Sequence, residues 1–182
     1  MADRESLKDM QARLAERLKL AKTSGMSVAW LAVSAGGANY LLPLRQSGEL
    51  LPISQSQVVP HTKPWFLGVT AIRGTLFGTV DLAQFIAHAG GADEDAMDGM
   101  LILEDETPSV VTMNPVIAGG CALQVGRLLG LRSADAFASS SPAPADAPPF
   151  FGNQFFDPQG GHWQEINLQT LSQSPQFLNI SA

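Results

Sequence analysis

The chain has 182 residues, of which 45% are hydrophobic and 15% are charged, and its formal net charge is −6. A chain of this length buries roughly 70% of its unfolded surface, so it can form a core without disulfides or metals. The composition excludes a disordered chain, and the excess of acidic residues disfavours nucleic-acid binding, which depends on attraction to phosphates.

The first 26 residues predict an amphipathic helix, expected over residues 3–24. Its apolar residues recur every three or four positions, at Leu7, Met10, Leu14 and Leu18. Charges occur throughout this segment, so we expect neither a signal peptide nor a membrane-spanning helix. The apolar stripe is expected to pack on the body of the protein or on a partner, and a role at a membrane surface is the less favoured alternative.

From residue 27 onward, short apolar runs alternate with Gly, Pro, Asn and Ser, which is typical of a protein built mainly from β-strands. The predicted strands are residues 27–34, 38–44, 48–53, 68–73, 75–80, 99–104, 109–113, 121–127, 150–156 and 162–166. Two short helices follow strand pairs, one at 81–89 with Asp81 as its N-cap and one beginning at Asn167. This recurrence predicts two similar lobes, about residues 27–90 and about 91–182.

Two segments are predicted to be connections. Residues 133–149 are rich in Ala, Ser and Pro, so we expect a flexible loop that supplies neither a hydrogen-bonded ladder nor a core. The acidic segment 90–99 is expected to form a solvated turn between the lobes, because the spacing of its Asp and Glu residues does not match a calcium-binding EF-hand loop.

The sequence offers few groups for catalysis or metal binding. No histidine lies three to five residues from another histidine or from Cys121, the single cysteine. No serine lies in a Gly-x-Ser-x-Gly turn, and no glycine pair is followed by the Lys-Ser/Thr of a phosphate loop. We therefore predict no catalytic residue, no metal and no cofactor. A single cysteine also excludes an internal disulfide and suits a reducing compartment such as the cytoplasm.

The segment FLGVTAIRGTLFGTV, residues 66–80, contains one charged residue, Arg73. Apolar strands on both sides of Arg73-Gly74 predict a β-hairpin in which Gly74 adopts the backbone angle that other residues resist. At the tip, Arg73 can anchor a protein interface, because its planar guanidinium forms directional hydrogen bonds. Alternatively, it can brace the fold by pairing with an acid such as Glu49, and both roles are compatible.

The segment ELLPISQSQVVPHTKPWFLGVTAIRGTLFGTVDLAQFI resembles the CheW-like scaffold proteins of bacterial chemosensory arrays, and the resemblance extends over about residues 27–180. The positions that match the family pattern are Glu49, Pro64, Trp65, Gly68, Val69, Arg73, Gly74, Asp81 and Leu82. Ala71 stands where the family usually has Asn. The basic N-terminal helix, KPWFLG and the tail QFLNI resemble the PilI branch, which serves twitching motility through type IV pili, more than the flagellar CheW.

The resemblance implies a mainly β fold of two packed SH3-like five-stranded β barrels with short helices. It also implies a non-catalytic adaptor between a methyl-accepting chemoreceptor tip, bound in the groove between the lobes, and the regulatory domain of a CheA-type histidine kinase. Such a protein is cytoplasmic, is recruited to membrane-associated receptor arrays and does not itself insert into the membrane.

The residues expected at the receptor or kinase interface are Glu49, Trp65, Leu67, Val69, Ile72, Arg73, Gly74 and Leu76. The alternative function is a small-molecule-binding β barrel or an enzyme that uses the cleft between the lobes.

Overall fold

The computed structural model describes residues 9–18, 28–91 and 108–182. In these ranges the strands are β1 (Val28–Ala35), β2 (Ala38–Pro43), β3 (Ser47–Pro52), β4 (Phe66–Ile72), β5 (Thr75–Asp81), β6 (Ser109–Met113), β7 (Cys121–Val125), β8 (Leu128–Ser133), β9 (Ser139–Ser141), β10 (Phe151–Phe156) and β11 (His162–Ile166). The helices are α1 (residues 9–18), α2 (Leu82–Ala89), α3 (Pro115–Ala118), α4 (Leu168–Gln173) and α5 (Pro175–Leu178), with a 3-10 turn at Ala134–Ala136.

Nine of the ten predicted strands are present, with ends within two residues of the predicted ones. The tenth, residues 99–104, lies outside the described residues, as does most of the acidic segment 90–99. Two strands were not predicted, β8 and β9. The predicted strand 121–127 includes Gly126 and Arg127, which form the turn between β7 and β8 in the structure, and residues 128–133 are not predicted as a strand.

The strands form two sheets. The first has the order β8-β1-β2-β11-β10-β9 and the second has the order β3-β6-β7-β5-β4. Most neighbours are antiparallel, but β2 pairs with β11, and β5 with β7, in parallel. Parallel partners cannot be joined by a tight hairpin, so each of these pairs unites strands that are distant in sequence.

Each sheet therefore combines strands from both halves of the chain. The predicted division into lobes 27–90 and 91–182 does not follow the sheets, because the chain passes from the first sheet to the second after β2 and returns after β7. The first sheet also has six strands rather than the expected five, since β9 adds a strand at its edge.

The segment 133–149 contributes to both ladder and core. Ser139–Ser141 pair antiparallel with β10, and the ring of Phe137 packs on those of Trp30 and Phe155. The expectation that this segment supplies neither is wrong. A ladder uses backbone groups, which serine provides as well as any other residue, and Phe137 is the one large apolar residue of the segment.

The main core combines side chains from both sheets and from α2. Leu31 and Leu42 come from the first sheet, Val111 and Leu123 from the second, and Phe85 from α2, and all five are fully buried. The two sheets therefore share one core. Displacement of one sheet is resisted by the close packing of the other.

The opposite face of the first sheet carries a smaller group of rings, which we call the aromatic cluster: Trp30, Phe137, Phe155 and Trp163. The ring centroids of Trp30 and Phe155 lie 4.9 Å apart. The Arg132 guanidinium lies 5.4 Å from the Trp163 ring centroid. Successive residues of a strand point to opposite faces, so β1 and β11 contribute to both clusters.

Both predicted helix caps are present. The Asp81 carboxylate accepts a hydrogen bond from the Gln84 backbone N–H at 3.0 Å, and the Asn167 side chain accepts one from the Thr170 backbone N–H at 3.0 Å. Burial raises the pKa of Asp81, and the hydrogen bonds from the first turn of α2 oppose that shift. The recurring unit of a hairpin followed by a capped helix is thus a feature of the fold.

Helix α1 packs on the body of the protein. Leu14 contacts the main core, Leu18 is only 3% exposed, and the Gln11 amide donates a hydrogen bond to the Ser109 hydroxyl at 3.0 Å. The rest of the helix predicted over residues 3–24 lies outside the described residues. None of the helices in the described ranges has the length and apolar character needed to cross a membrane.

Candidate protein-interaction site

The β4–β5 hairpin ends in a two-residue turn, because Ile72 pairs with Thr75 and leaves Arg73 and Gly74 between the strands. Both turn residues have positive φ, 49° for Arg73 and 82° for Gly74. Positive φ at both central positions is the property of the type I′ turn, which matches the twist of a hairpin. The predicted hairpin and the special backbone of Gly74 are confirmed, and Arg73 adopts an unfavourable backbone angle as well.

The Arg73 guanidinium pairs with Glu49. Its Nη1 lies 2.9 Å from Glu49 Oε1 and 2.9 Å from Oε2, while the two side chains remain 67% and 49% exposed. An ion pair as exposed as this one stabilises a fold by at most about 1 kcal/mol. The main effect of the pairing is therefore to orient the Arg73 side chain, and its contribution to the free energy of unfolding is small.

A local irregularity of β3 positions Glu49. The register between β3 and β6 shifts between Ser47 and Leu50, as in a β-bulge, and the Glu49 backbone N–H donates a hydrogen bond to the Thr112 hydroxyl at 2.7 Å. Gly48 permits this approach, since a Cβ there would lie 2.3 Å from the Thr112 hydroxyl.

The position of the ion pair also indicates that the second sheet is curved. Among the described strands, β3 and β4 lie at the two ends of that sheet, yet Glu49 on β3 binds the arginine that follows β4. The sheet must curl for its edges to approach in this way, as the strands of a β barrel do. Arg73 therefore also links the two outermost described strands of this sheet.

Two exposed apolar side chains lie on the segments next to the ion pair, one three residues after Arg73 and one directly after Pro115, which lines the same cavity as Glu49 and Arg73. Leu76 on β5 is 68% exposed and Val116 on α3 is 92% exposed. The turn after α3 contacts β5 here, because Gly120 accepts a backbone hydrogen bond from Gly78 at 2.7 Å. We call Glu49, Arg73, Leu76 and Val116 the hairpin surface. Single exposed apolar residues are ordinary, but two of them around an exposed ion pair are typical of a protein interface.

Trp65, predicted at the interface, lies in the core instead. Its side chain is fully buried, with its ring centroid 5.0 Å from that of Phe85 and 6.2 Å from that of Phe177. The indole Nε1 has no hydrogen-bond partner in the part of the chain that the structure describes. A buried tryptophan offers no surface to a partner, so the prediction for Trp65 is corrected to a packing role.

The remaining predicted residues lie on β4. Leu67, Val69 and Ile72 are half-buried. The register of β4 shifts between Phe66 and Gly68, so the alternation of faces applies from Gly68 onward and places Val69 and Ile72 on opposite faces. Only the part of this set near the turn adjoins the hairpin surface. Sequence reasoning missed Val116, whose available signal was an apolar residue directly after Asn114-Pro115, a sequence typical of a helix start.

The side chains near the hairpin surface include the thiol of Cys121, on the strand that pairs with β5. Burial raises the pKa of Cys121 to about 12, so its thiol stays protonated at neutral pH and is a poor nucleophile. Among residues 9–18, 28–91 and 108–182, no group of three or more His, Cys, Asp or Glu side chains is placed to hold a metal ion. The surface itself provides a directional cation, its carboxylate partner and apolar contacts.

Comparison with protein families gives a match over most of the chain. The family model described as the CheW-like domain matches residues 29–173. The chain belongs to the CheW-like domain family. A solved structure, that of the scaffolding protein TtCheW from Thermoanaerobacter tengcongensis, is similar with a TM-score of 0.61 and 15% sequence identity, covering 83% of this chain and 96% of that chain. No curated protein matches.

The predicted CheW-like fold is confirmed by these two findings. The assignment to the PilI branch stays a prediction. Helix α1 lies outside the part of the chain that matches the CheW-like domain, which begins at residue 29 within β1.

Proposed function

We propose that this CheW-like protein is a non-catalytic adaptor that couples a methyl-accepting chemoreceptor to the regulatory domain of a CheA-type histidine kinase. Membership of the CheW-like family supports a scaffold or adaptor role. The observation that carries the proposal is the hairpin surface, in which an ion pair orients Arg73 and the neighbouring segments expose the side chains of Leu76 and Val116.

The receptor partner is the helical tip of the chemoreceptor. The C-terminal end of a helix presents unpaired backbone carbonyls, and the guanidinium of Arg73 is suited to bind these or a side-chain carboxylate because it donates several hydrogen bonds in one plane. Leu76 and Val116 then pack against apolar residues of the tip. Gly74 contributes by permitting the tight turn, and Ile72 supports it from β4.

The adaptor transmits signal through rigid contact. The two sheets share one core, so a displacement at the hairpin surface moves the body as a unit instead of being absorbed between separate lobes. An interface with few anchors is weak alone, and repeated copies in a receptor array raise its effective strength. We place the protein in the cytoplasm, recruited to membrane-associated arrays by these partners.

We further assign the adaptor to a pilus chemosensory system that controls twitching. The support is the resemblance of KPWFLG, the basic N-terminal segment and the QFLNI tail to the PilI branch. Deletion of the gene in a host that both twitches and swims should abolish directed twitching and leave swimming chemotaxis intact. The reverse outcome would place the protein in a flagellar system.

The coupling proposal is tested by binding with purified components. We expect the protein to co-elute with the regulatory domain of a CheA-type kinase, and to bind a receptor tip fragment in a separate titration. The matched control carries Gln159→Glu, an exposed charge change in the β10–β11 turn, and should bind as well as the wild type. Absence of binding to every kinase and tip offered, or turnover of a small molecule in the cleft, would contradict the proposal.

A further inference from the structure

Helix α1 covers part of the surface next to the hairpin surface. It lies against β3 and β6, where Gln11 binds Ser109 and where Leu14 and Leu18 are its apolar anchors. One turn of α1 also forms a wall of the cavity that contains the ion pair. Ala15 and Leu18 line that cavity together with Glu49 and Arg73.

The fit of α1 to the body is incomplete. A cavity of about 380 Å³ separates it from the ion pair, and a second one of about 260 Å³ lies between Ala12, Ala15 and residues 50–52 of β3. Both cavities open to solvent, so they are clefts at the margin of the contact between α1 and the body. Ala12 and Ala15 line these clefts, and the contacts of the described part of α1 with the body are those of Leu14, Leu18 and Gln11.

This contact is weak for a helix of ten described residues. Each ordered residue loses conformational entropy, and short helices persist only where tertiary packing compensates that loss. Three side chains provide most of the packing here. Undocking of α1 need not unfold the body, because the main core is built from the two sheets and from α2.

The seated helix also indicates what this face of the protein can bind. It accepts an amphipathic helix with two leucines four positions apart, Leu14 and Leu18, and with an amide that reaches Ser109. A helix from a partner with this spacing meets the same apolar contacts. It also comes within reach of the Glu49–Arg73 ion pair.

We propose that α1 is a displaceable cover, and that an amphipathic helix of a partner protein binds beside the Glu49–Arg73 ion pair by taking the place of α1. The identification of that partner as the chemoreceptor tip rests on the proposed function, whereas the displacement of α1 does not. The N-terminal segment then lowers the apparent affinity of the adaptor for its partner, because the partner binds only the fraction of molecules in which α1 is undocked.

The test compares a released and a locked form of the full chain. Leu14→Ala with Leu18→Ala removes both anchors and releases α1. Ala12→Cys with Pro52→Cys, two exposed positions on either side of the smaller cavity, allows a short bis-maleimide to lock it. The matched control for the released form is Arg17→Ala, an exposed change on the same helix.

Cys121 is replaced by alanine in every variant, so that only the introduced thiols react. The control for the locked form is the same double-cysteine protein with each thiol capped by a monofunctional maleimide. Far-ultraviolet circular dichroism and denaturant unfolding establish that each form retains the fold. Should the released form fail to fold, the locked and capped pair carries the comparison alone.

The first readout is a labelled synthetic peptide of residues 5–22, which supplies the helix in trans and requires no receptor. We expect the released form to bind this peptide at least about tenfold more tightly than the wild type, as it should when α1 is docked in nine molecules of ten. The locked form should show no binding, and its capped control should match the wild type. Equal binding by all forms, or binding by none, would overturn the proposal.

The second readout is the receptor tip fragment. An affinity order of released, wild type and locked supports displacement by the receptor. Equal tip binding by all three forms would overturn displacement and leave the proposed adaptor function standing. If the peptide binds in the expected order and no form binds the tip, α1 is a displaceable cover, but the receptor is not the partner that displaces it.

Discussion

The β4–β5 and β10–β11 hairpins occupy equivalent places in the two sheets. Each is followed by a capped helix, α2 after Asp81 and α4 after Asn167, and the second strand of each pairs in parallel with a distant strand. The two hairpins differ at their turns, since β4–β5 is joined by two residues and β10–β11 by the five residues 157–161.

The turns direct their charged groups differently. Arg73 at the first turn points outward to Glu49 on another strand. Asp157 at the second turn is satisfied locally, because its carboxylate accepts hydrogen bonds from the Gly161 backbone N–H at 2.7 Å and the Trp163 indole N–H at 3.0 Å. The same supersecondary unit thus exposes a charged side chain at its turn in one sheet and binds its charged side chain within the turn in the other. The difference lies in the turns rather than in the strands.

Truncation of Trp163 should produce the largest effect among the substitutions in these two hairpins. Trp163 is buried in the aromatic cluster and its indole N–H is bound by Asp157. Trp163→Ala should lower the free energy of unfolding by about 3–5 kcal/mol, measured by denaturant titration. The matched truncation in the other hairpin, Leu76→Ala, should change it by less than about 0.5 kcal/mol, because Leu76 is exposed. A comparable loss from Leu76→Ala would show that Leu76 also has a packing role.

Charge reversal at the first turn should affect binding rather than folding. Arg73→Glu places two carboxylates together on the hairpin surface, and we expect it to abolish receptor coupling, with a loss of at least about 2 kcal/mol in binding free energy. The free energy of unfolding should change by no more than about 1 kcal/mol, because the ion pair is exposed. Titration with a receptor tip and denaturant unfolding measure the two effects. A protein that no longer folds would establish bracing as the main role of Arg73.

The local features of the fold could be predicted from the sequence. The Arg73-Gly74 turn and the caps Asp81 and Asn167 depend on residues within a few positions, so the chemistry of one segment determines them. The interleaving of the sheets could not be predicted, because parallel pairs such as β2–β11 depend on contacts across more than 100 residues. Nothing within a single strand encodes its distant partner.

Some features of the candidate site could likewise be predicted from the sequence, and others could not. The partnership of Arg73 and Glu49 was anticipated as one of two roles, and the structure contains the ion pair. Trp65 was misplaced because an aromatic residue has the same pattern whether it packs inward or faces a partner. Val116 was missed because the strand pattern on either side hid a four-residue helix, α3.

Substitution of Arg73 by asparagine should separate stability from binding. Arg73 has a φ of 49°, a conformation that asparagine tolerates better, and Asn-Gly is the preferred pair for a two-residue hairpin turn. We expect Arg73→Asn to retain or raise the free energy of unfolding, by up to about 1 kcal/mol, while receptor binding is lost. Calorimetry and tip titration measure both quantities. Retained binding would show that the guanidinium is dispensable.

Gly74→Ala provides the opposite control on the same turn. A Cβ at Gly74 would meet no atom within 4 Å, so its only cost is the positive φ of 82°. The free energy of unfolding should fall by about 1 kcal/mol. A larger loss would indicate that the turn is constrained by more than its backbone angle.

Removal of the carboxylate of the second turn should have the smallest effect, a loss of stability that is present near neutral pH and disappears as the pH falls. Hydrogen bonds from Trp163 and Gly161 hold the pKa of Asp157 below the ordinary 3.8. A lowered folded-state pKa contributes stability that is present above 3.8 and is lost as the pH falls through the folded value. Asp157→Asn should therefore make the decline of stability below about pH 5 shallower, and the Asp157 carboxyl carbon should titrate below 3.8 by NMR.

Trp163→Phe tests the cause of that shift, because it removes the indole donor that contributes most to it and keeps an aromatic ring in the cluster. The Asp157 carboxyl carbon should then titrate closer to 3.8, and the pH dependence of unfolding should lie between those of the wild type and of Asp157→Asn. Parallel curves for all three proteins would mean that the second turn is held by its backbone hydrogen bonds alone. The two turns would then differ in their length and not in how their charged side chains contribute to stability.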